Sequence, residues 1–316
     1  MAIDKKIALT IGDPAGIGPE ITLKAILSNK ISGLFKPIII GDRNVLEEAI
    51  LKLNIKINLN NITIIDVDEI KVKNFQRCKP TAESGRACVA YIKKAVELAL
   101  NKKVDAIVTA PISKESLKMA GFKWPGHTEM LAGMTNTKDY AMMFYSEKLK
   151  IILVTIHTAL RNVPDLIKKE RVLQTIMLAK RACDMMGINN PRIAVAGLNP
   201  HAGEAGIFGD EEIKEIVPAI KEAQTLGINA SGPYPADTLF HKAYKGEFDI
   251  IVCMYHDQGL IPLKMIAFDK AVNVTIGLPI IRTSPDHGTA YDIAWKGIAN
   301  PSSMIEAIKL AVRLKI

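Results

Sequence analysis

Short apolar runs alternate with longer amphipathic stretches from one end of this chain to the other, and that alternation restricts its fold more than any other feature. Residues 7–11, 37–40, 62–67, 104–109, 151–156, 192–196, 250–254 and 271–276 read as strands. Residues 18–28, 43–53, 81–101, 168–186, 213–226 and 302–314 read as helices, the third with apolar positions at Val89, Ile92, Ala95, Val96 and Ala99. Strands of this length between helices imply βαβ units and mostly parallel pairing. With 316 residues the chain can form two α/β domains or one large one. No Ser/Gly-rich linker, internal repeat or low-complexity segment divides it, so two domains would be joined by elements that cross between them.

Hydrophobic residues make up 48% and charged residues 23%, a globular balance, while aromatics at 5% leave the core to Ile, Leu, Val, Ala and Met. The net charge of +8 comes from lysines spread along the chain. The clustering of a nucleic-acid arm is missing, so nucleic acid is not an expected partner. Cys78, Cys88, Cys183 and Cys253 have no Cys-x-x-Cys spacing and read as reduced thiols, mostly buried or partly buried. Residues 1–6 lack the apolar stretch of a signal peptide, and no apolar run is long enough to span a bilayer. A cytoplasmic protein with no membrane partner is the expectation.

The aperiodic stretches carry the chemistry: 12–20, 125–129, 157–161, 199–204, 255–264 and 277–292. Most follow a strand, and in open α/β sheets ligands bind beyond the carboxyl ends of strands. Five of the six histidines lie in these stretches; His241 sits in a helical pattern and reads as a surface or packing residue. His157, His201 and His256 each follow a different buried strand. Three neutral imidazoles converging with an open position would make a catalytic divalent-metal site, with Glu204 and Asp257 available to orient the rings. Each histidine taken alone is more simply a hydrogen-bonded loop residue, since no local metal motif is present.

The segment 12–20 contains Gly-x-x-x-Gly-x-Gly, which is neither a dinucleotide fingerprint nor a P-loop. It reads as a tight turn or as a backbone cradle for a nucleotide or polar substrate. His127 and Thr128 beside Gly126 could hold phosphate or carboxylate, or cap the helix that follows. Lys264 and Arg282 each end an apolar run, where a cation either snorkels or clamps an anion; Asn273 lies near them in sequence.

Together the segments Gly-Asp-Pro-Ala-Gly-Ile-Gly-Pro-Glu at 12–20, Gly-His-Thr-Glu at 126–129, Asn-Pro-His-Ala-Gly-Glu at 199–204, Tyr-His-Asp-Gln-Gly at 255–259 and Arg-Thr-Ser-x-Asp-His-Gly-Thr-Ala at 282–290 resemble the 4-hydroxythreonine-4-phosphate dehydrogenase family. The resemblance implies an α/β, two-domain fold like that of isocitrate and isopropylmalate dehydrogenases. Residues 1–135 with 285–316 would form the first domain and 136–284 the second, metal and dimer side, with the active-site cleft between them. It implies a homodimer with His157, His201 and His256 as metal ligands, one supplied across the interface. The metal would be zinc, or magnesium or cobalt. His127, Thr128, Lys264, Asn273 and Arg282 would bind substrate. Residues 287–301 resemble the isopropylmalate dehydrogenase loop that holds the adenosine of NAD, with Tyr291 in place of Pro and Trp295 in place of Gly. By that match Asp292 would bind the ribose hydroxyls, with Gly12, Asp13, His287 and Gly288 in the cofactor site. The family has one branch in vitamin B6 (pyridoxine) synthesis acting on 4-phosphohydroxy-L-threonine and another acting on 4-phosphorylated threonate or erythronate. Residues 157–161 and 292–295 stand closer to the second.

The implied reaction is NAD-dependent, metal-assisted oxidation of a hydroxyl followed by decarboxylation, with Lys264 as catalytic proton donor or acceptor or only as an anion partner. Two other readings stay open on the residues: a three-His metal-dependent aldolase or hydrolase acting on a phosphorylated substrate, and a phospho-ligand-binding regulator without catalysis.

Overall fold

The computed structural model describes residues 5–316. The chain begins with β1 (Lys6–Thr10), α1 (Gly18–Ile26), β2 (Lys36–Gly41), α2 (Arg43–Leu53), β3 (Thr63–Asp66), α3 (Ala82–Leu100), β4 (Ala106–Thr109), α4 (Lys114–Met119) and α5 (His127–Met134). It continues with β5 (Ala141–Tyr145), β6 (Lys150–Leu153), the short α6 (Val163–Leu166), α7 (Lys169–Met185), β7 (Ile193–Ala196), a π-helical turn over Glu212–Ile216 running into α8 (Val217–Thr225), β8 (Ala230–Tyr234), α9 (Ala236–Tyr244), β9 (Ile250–Cys253), α10 (His256–Ala267) and β10 (Val272–Ile276). It ends with β11 (Arg282–Pro285) and α11 (Ser302–Arg313). These elements gather into two compact units, one of residues 5–137 with 278–314, the other of residues 138–277.

In the first unit the strands run in the order β3-β2-β1-β4-β11, all parallel. From β1 the chain moves outward through β2 to β3, then returns to set β4 on the other side of β1. That reversal puts a topological switch point between β1 and β4, where a crevice opens at the carboxyl ends of the strands. The 12–20 segment leaves β1 at this point and Thr109 ends β4 there. Continuous apolar runs such as Ile7, Ala8 and Leu9 are wholly buried, as strands covered on both faces require. Helix α3 lies against β1, β2 and β4, and α11 against β11 and β4.

In the second unit the order is β10-β5-β6-β9-β7-β8. Strands β6, β9, β7 and β8 are parallel, while β5 is antiparallel to both β6 and β10. Strand β5 escaped the sequence reading because Ala-Met-Met-Phe-Tyr lacks both β-branched residues and polar alternation. Strand β8 was hidden by Gly232 and Pro233, which an edge strand tolerates.

The largest departure from expectation is residues 255–264, which read as an aperiodic loop but form most of α10. Gly259 and Pro262 mask its pattern. Leu260 and Leu263 are buried in the core with Ile151, Leu153, Ile251 and Cys253. Each such side chain contributes about 1.5–3 kcal/mol, enough to seat a helix that its Pro and Gly weaken. Cys88, Cys183 and Cys253 are buried free thiols, and burial pushes the Cys183 thiol up to about 12. Cys78 is exposed, against the expectation of burial. No described helix is long and apolar enough to cross a membrane.

Candidate active-site residues and their surroundings

The 12–20 segment and the 287–299 segment of the first unit are bound into one structure. Gly12 has φ +66°, and a Cβ there would stand 2.3 Å from the Pro111 carbonyl oxygen, so only glycine fits. Asp13 is fully buried. Its Oδ1 accepts from the Ala15 N–H at 2.8 Å, and its Oδ2 accepts from the Tyr291 hydroxyl at 2.6 Å and the Ser116 hydroxyl at 3.0 Å. Burial raises the Asp13 carboxyl above the usual range, although these donors oppose the shift. Further ties run from the Ile17 N–H to the Thr289 carbonyl (3.0 Å) and from Trp295 Nε1 to the Pro14 carbonyl (3.1 Å). Buried Glu20 accepts from the Ala299 N–H at 2.9 Å and pairs with Lys24 at 2.6 Å. The closeness of Gly12 and Asp13 therefore serves the protein's own packing, and Asp13 offers no exposed face to a cofactor. His287, Gly288 and Asp292 are exposed on the loop that Asp13 anchors. His287 Nδ1 lies 3.1 Å from the Gly288 carbonyl oxygen.

The same unit holds Arg282, at the start of β11 and only 1% exposed. Its Nε and Nη2 donate to the Thr109 hydroxyl at 3.1 and 2.8 Å. Burial lowers the guanidinium to about 9, with Glu129 acting in the other direction. His127 opens α5 and Thr128, which is buried, follows it. Burial, and then the charge of Arg282, hold the His127 imidazole well below its usual range, so it is neutral near pH 7. Its buried Nε2 has no hydrogen-bond partner. A neutral imidazole, a buried cation and the N–H groups of a helix start together form a setting that suits an anion.

In the second unit, β6, β9 and β7 are neighbours, so the chain carries His157, His256 and His201 from the same edge of one sheet. The rings of His157 and His256 lie 5.7 Å apart, centroid to centroid. With Tyr255 and Asp257 they line a cavity of about 390 Å³. His256 begins α10, and its Nδ1 is hydrogen-bonded to Asp257 Oδ1 at 2.7 Å, which fixes the ring. His201 is not part of this pair; its ring is 6.1 Å from Phe208. Among the described residues no three His, Cys, Asp or Glu side chains are grouped to hold a metal.

His201 instead opens a left-handed turn. Residues 201–205 have φ between 42° and 82°. His201, Ala202, Glu204 and Ala205 each carry a Cβ in this region, at a cost of roughly 1–2 kcal/mol per residue. Lys264 is half-buried in the last turn of α10. Asn273 lies on β10 opposite Phe144 of β5, and its buried Oδ1 lacks a partner. His241 is exposed on α9.

Sequence reasoning missed Thr109, Ser116, Tyr291 as an anchor, and Glu212. Tyr291 was noted only as a departure from a related loop. Glu212 sits in an Asp-Glu-Glu run that looks like a solvated face, yet it is 3% exposed. The one usable signal was Ile216, one helical turn beyond Glu212 and fully buried.

Comparison with known proteins agrees with this arrangement. Residues 33–311 match the family described as pyridoxal phosphate biosynthetic protein PdxA. A 4-hydroxythreonine-4-phosphate dehydrogenase of Desulforapulum autotrophicum is 46% identical, covering 96% of this chain and 94% of the relative. A D-threonate 4-phosphate dehydrogenase of Pectobacterium atrosepticum is also 46% identical, covering 99% and 100%. The crystal structure of 4-hydroxythreonine-4-phosphate dehydrogenase from Klebsiella pneumoniae superimposes with a TM-score of 0.90 at 42% identity, covering 99% of each chain. An isocitrate dehydrogenase from Methylococcus capsulatus, 15% identical with a TM-score of 0.51 over 98% of this chain and 85% of its own, shares the fold. The chain therefore belongs to the PdxA family and is an oxidoreductase.

Proposed function

We propose that this enzyme oxidises a 4-phosphorylated hydroxy acid, with decarboxylation, in a reaction dependent on NAD and a divalent metal. The substrate is 4-phosphohydroxy-L-threonine or 4-phospho-D-threonate or erythronate. The observation that carries the reading is Arg282: a guanidinium 1% exposed, beside a neutral His127 whose Nε2 lacks a partner. A guanidinium can hold a phosphate or carboxylate by paired charge-assisted hydrogen bonds, and a neutral imidazole beside it adds a hydrogen-bonding group without adding charge. His127 Nε2 is a buried polar atom that a phosphorylated substrate would satisfy. Oxidoreductase family membership sets aside the aldolase, hydrolase and regulator readings.

The donor set fits a divalent cation in part. His157 and His256 are paired, and Asp257 fixes the ring of His256. His201 of the partner subunit would complete three imidazoles. Apolar side chains left exposed by one chain support that partnership: Ile207, Phe208 and Ile213 follow His201, and Ile261, Met265 and Phe268 lie on or just after α10. When bound, the ion supplies Lewis acidity at the substrate hydroxyl and NAD supplies the hydride acceptor. Lys264 would hold or move a proton at the reacting oxygen, Arg282, His127 and Thr128 would fix the anionic end of the substrate, and Asp292 would accept from the ribose hydroxyls. Buried free thiols suit action in the cytoplasm.

The test is NADH formation followed by absorbance, with the three phosphorylated substrates run side by side in the presence of NAD and zinc, magnesium or cobalt. Turnover of one of them, abolished by a chelator and restored by metal, is expected and identifies the branch, which equal 46% identity to both named activities does not do. Folded, metal-loaded protein that produces no NADH from any of them overturns the proposal.

A further inference from the structure

The left-handed turn at 201–205 needs a reason to persist, since four of its five residues carry side chains that disfavour it. The reason lies in Glu212. Its Oε1 accepts from the backbone N–H groups of Leu198 and Asn199 at 2.7 and 2.8 Å, and its Oε2 accepts from Asn199 Nδ2 at 2.9 Å. A second bond from Asn199 Nδ2 to Glu211 Oε2, at 2.7 Å, holds that amide from the other side. Both carboxylate oxygens are thus spent on the two residues before Pro200 and His201.

The turn is also folded back onto this carboxylate. A Cβ on Gly203 would stand 2.7 Å from Glu212 Oε2, and a Cβ on Gly197 would stand 2.8 Å from Ala202 Cα. Glu212 itself is presented by a π-helical turn, Glu212–Ile216, a distortion frequent at functional sites. All of these bonds go to Leu198 and Asn199, the two residues that lead into Pro200 and His201.

We propose that Glu212 is a positioning residue, which fixes the left-handed turn bearing His201 and thereby sets the affinity of the site for a divalent cation. The inference rests on the reading of His201 as a metal ligand, so the test includes a control for that reading. The full chain is titrated with Co²⁺, with affinity and the visible d–d spectrum as readouts and circular dichroism as a check on folding. Glu212→Ala is expected to weaken Co²⁺ binding by about 10- to 100-fold and to change the spectrum. Glu212→Gln keeps an acceptor for the Leu198 and Asn199 N–H groups and is expected to lose less. His201→Ala is the control. If it leaves affinity and spectrum unchanged, His201 is no ligand, and both readings fail. If it weakens binding while Glu212→Ala does not, the Glu212 inference alone is overturned. Should Glu212→Ala fail to fold, Gly203→Ala, which drives a methyl against the carboxylate, is expected to weaken Co²⁺ binding likewise; unchanged affinity and spectrum would overturn the inference.

Discussion

The functional side chains of the two units are treated in opposite ways. In the first unit they are packed away: Asp13 and Arg282 are buried, His127 is held neutral, and two loops are tied by hydrogen bonds that leave little freedom. In the second they are at the surface: His157 and His201 are exposed, His256 is half-buried, and the apolar residues near them have no cover. A buried polar group needs a partner from the chain or from a ligand, because water is not there to serve; Asp13 finds its partners within the chain, and His127 Nε2 does not. Exposed imidazoles carry less of that demand, because water reaches them. The loops of the first unit are thus largely finished by their own hydrogen bonds, while the three histidines of the second stand at or near the surface.

The sharpest way to break this contrast is at Arg282. Arg282→Met fills the space with an apolar side chain, and such replacements of buried charge are often neutral for folding. If Arg282 is there for an anion, kcat/KM for the phosphorylated substrate falls by a factor on the order of 10² to 10³, equivalent to about 3–4 kcal/mol, while the melting temperature changes little. A variant that melts early but turns over normally would make Arg282 a structural residue only. In the second unit, His157→Ala removes an exposed side chain, so stability without metal should be unchanged. Metal affinity, measured by titration calorimetry, should drop by more than about 100-fold, beyond what loss of an outer partner costs. Equal affinity would remove the metal from this pair.

Between these extremes stands Asp292, exposed on an anchored loop. Asp292→Ala should weaken NAD binding by about 10- to 100-fold, the value of a charge-assisted bond of about 1.5–3 kcal/mol, with no loss of stability. Calorimetric titration with NAD and NADP checks it. Undiminished NAD affinity would leave the loop a framework without a ligand.

The same contrast explains what could be read from the sequence. Helices α2, α3 and α7 and the central strands were legible because their apolar periodicity reports burial directly, and the start of α2 at Arg43 was located to the residue. The histidines were legible as ends of strands, because a strand must stop before a polar side chain can leave the sheet. Helix α10 was not, since Gly259 and Pro262 interrupt its local signal while Leu260 and Leu263 are fixed by tertiary packing. The partners of Asp13 were equally hidden, because Ser116 and Tyr291 are 103 and 278 residues away and nothing local marks a hydroxyl that will meet a buried carboxylate. The turn at 201–205 is harder still: its handedness is imposed by Glu212, not by its own sequence.

Asp13 gives the smallest expected effect and the finest test of the finished unit. Its folded-state pKa is raised by burial. A carboxyl of this kind contributes most below its unfolded value near 3.8, and that contribution is lost as pH rises through the folded value. Asp13→Asn removes this dependence. It keeps an oxygen for the Ala15 N–H and offers an amide to the hydroxyls of Tyr291 and Ser116, each of which can rotate to accept. The melting temperature of the variant relative to the parent should therefore be higher at pH 8 than at pH 4, while NAD affinity at pH 8 stays within a few-fold of the parent's because the loop bearing Asp292 remains tied. The pH series by differential scanning calorimetry and one NAD titration decide the matter. A variant with the opposite pH trend would mean that the three donors outweigh burial. A variant that keeps its stability but loses NAD would mean that Asp13 reaches the cofactor after all, and that the first unit is less finished than its packing implies.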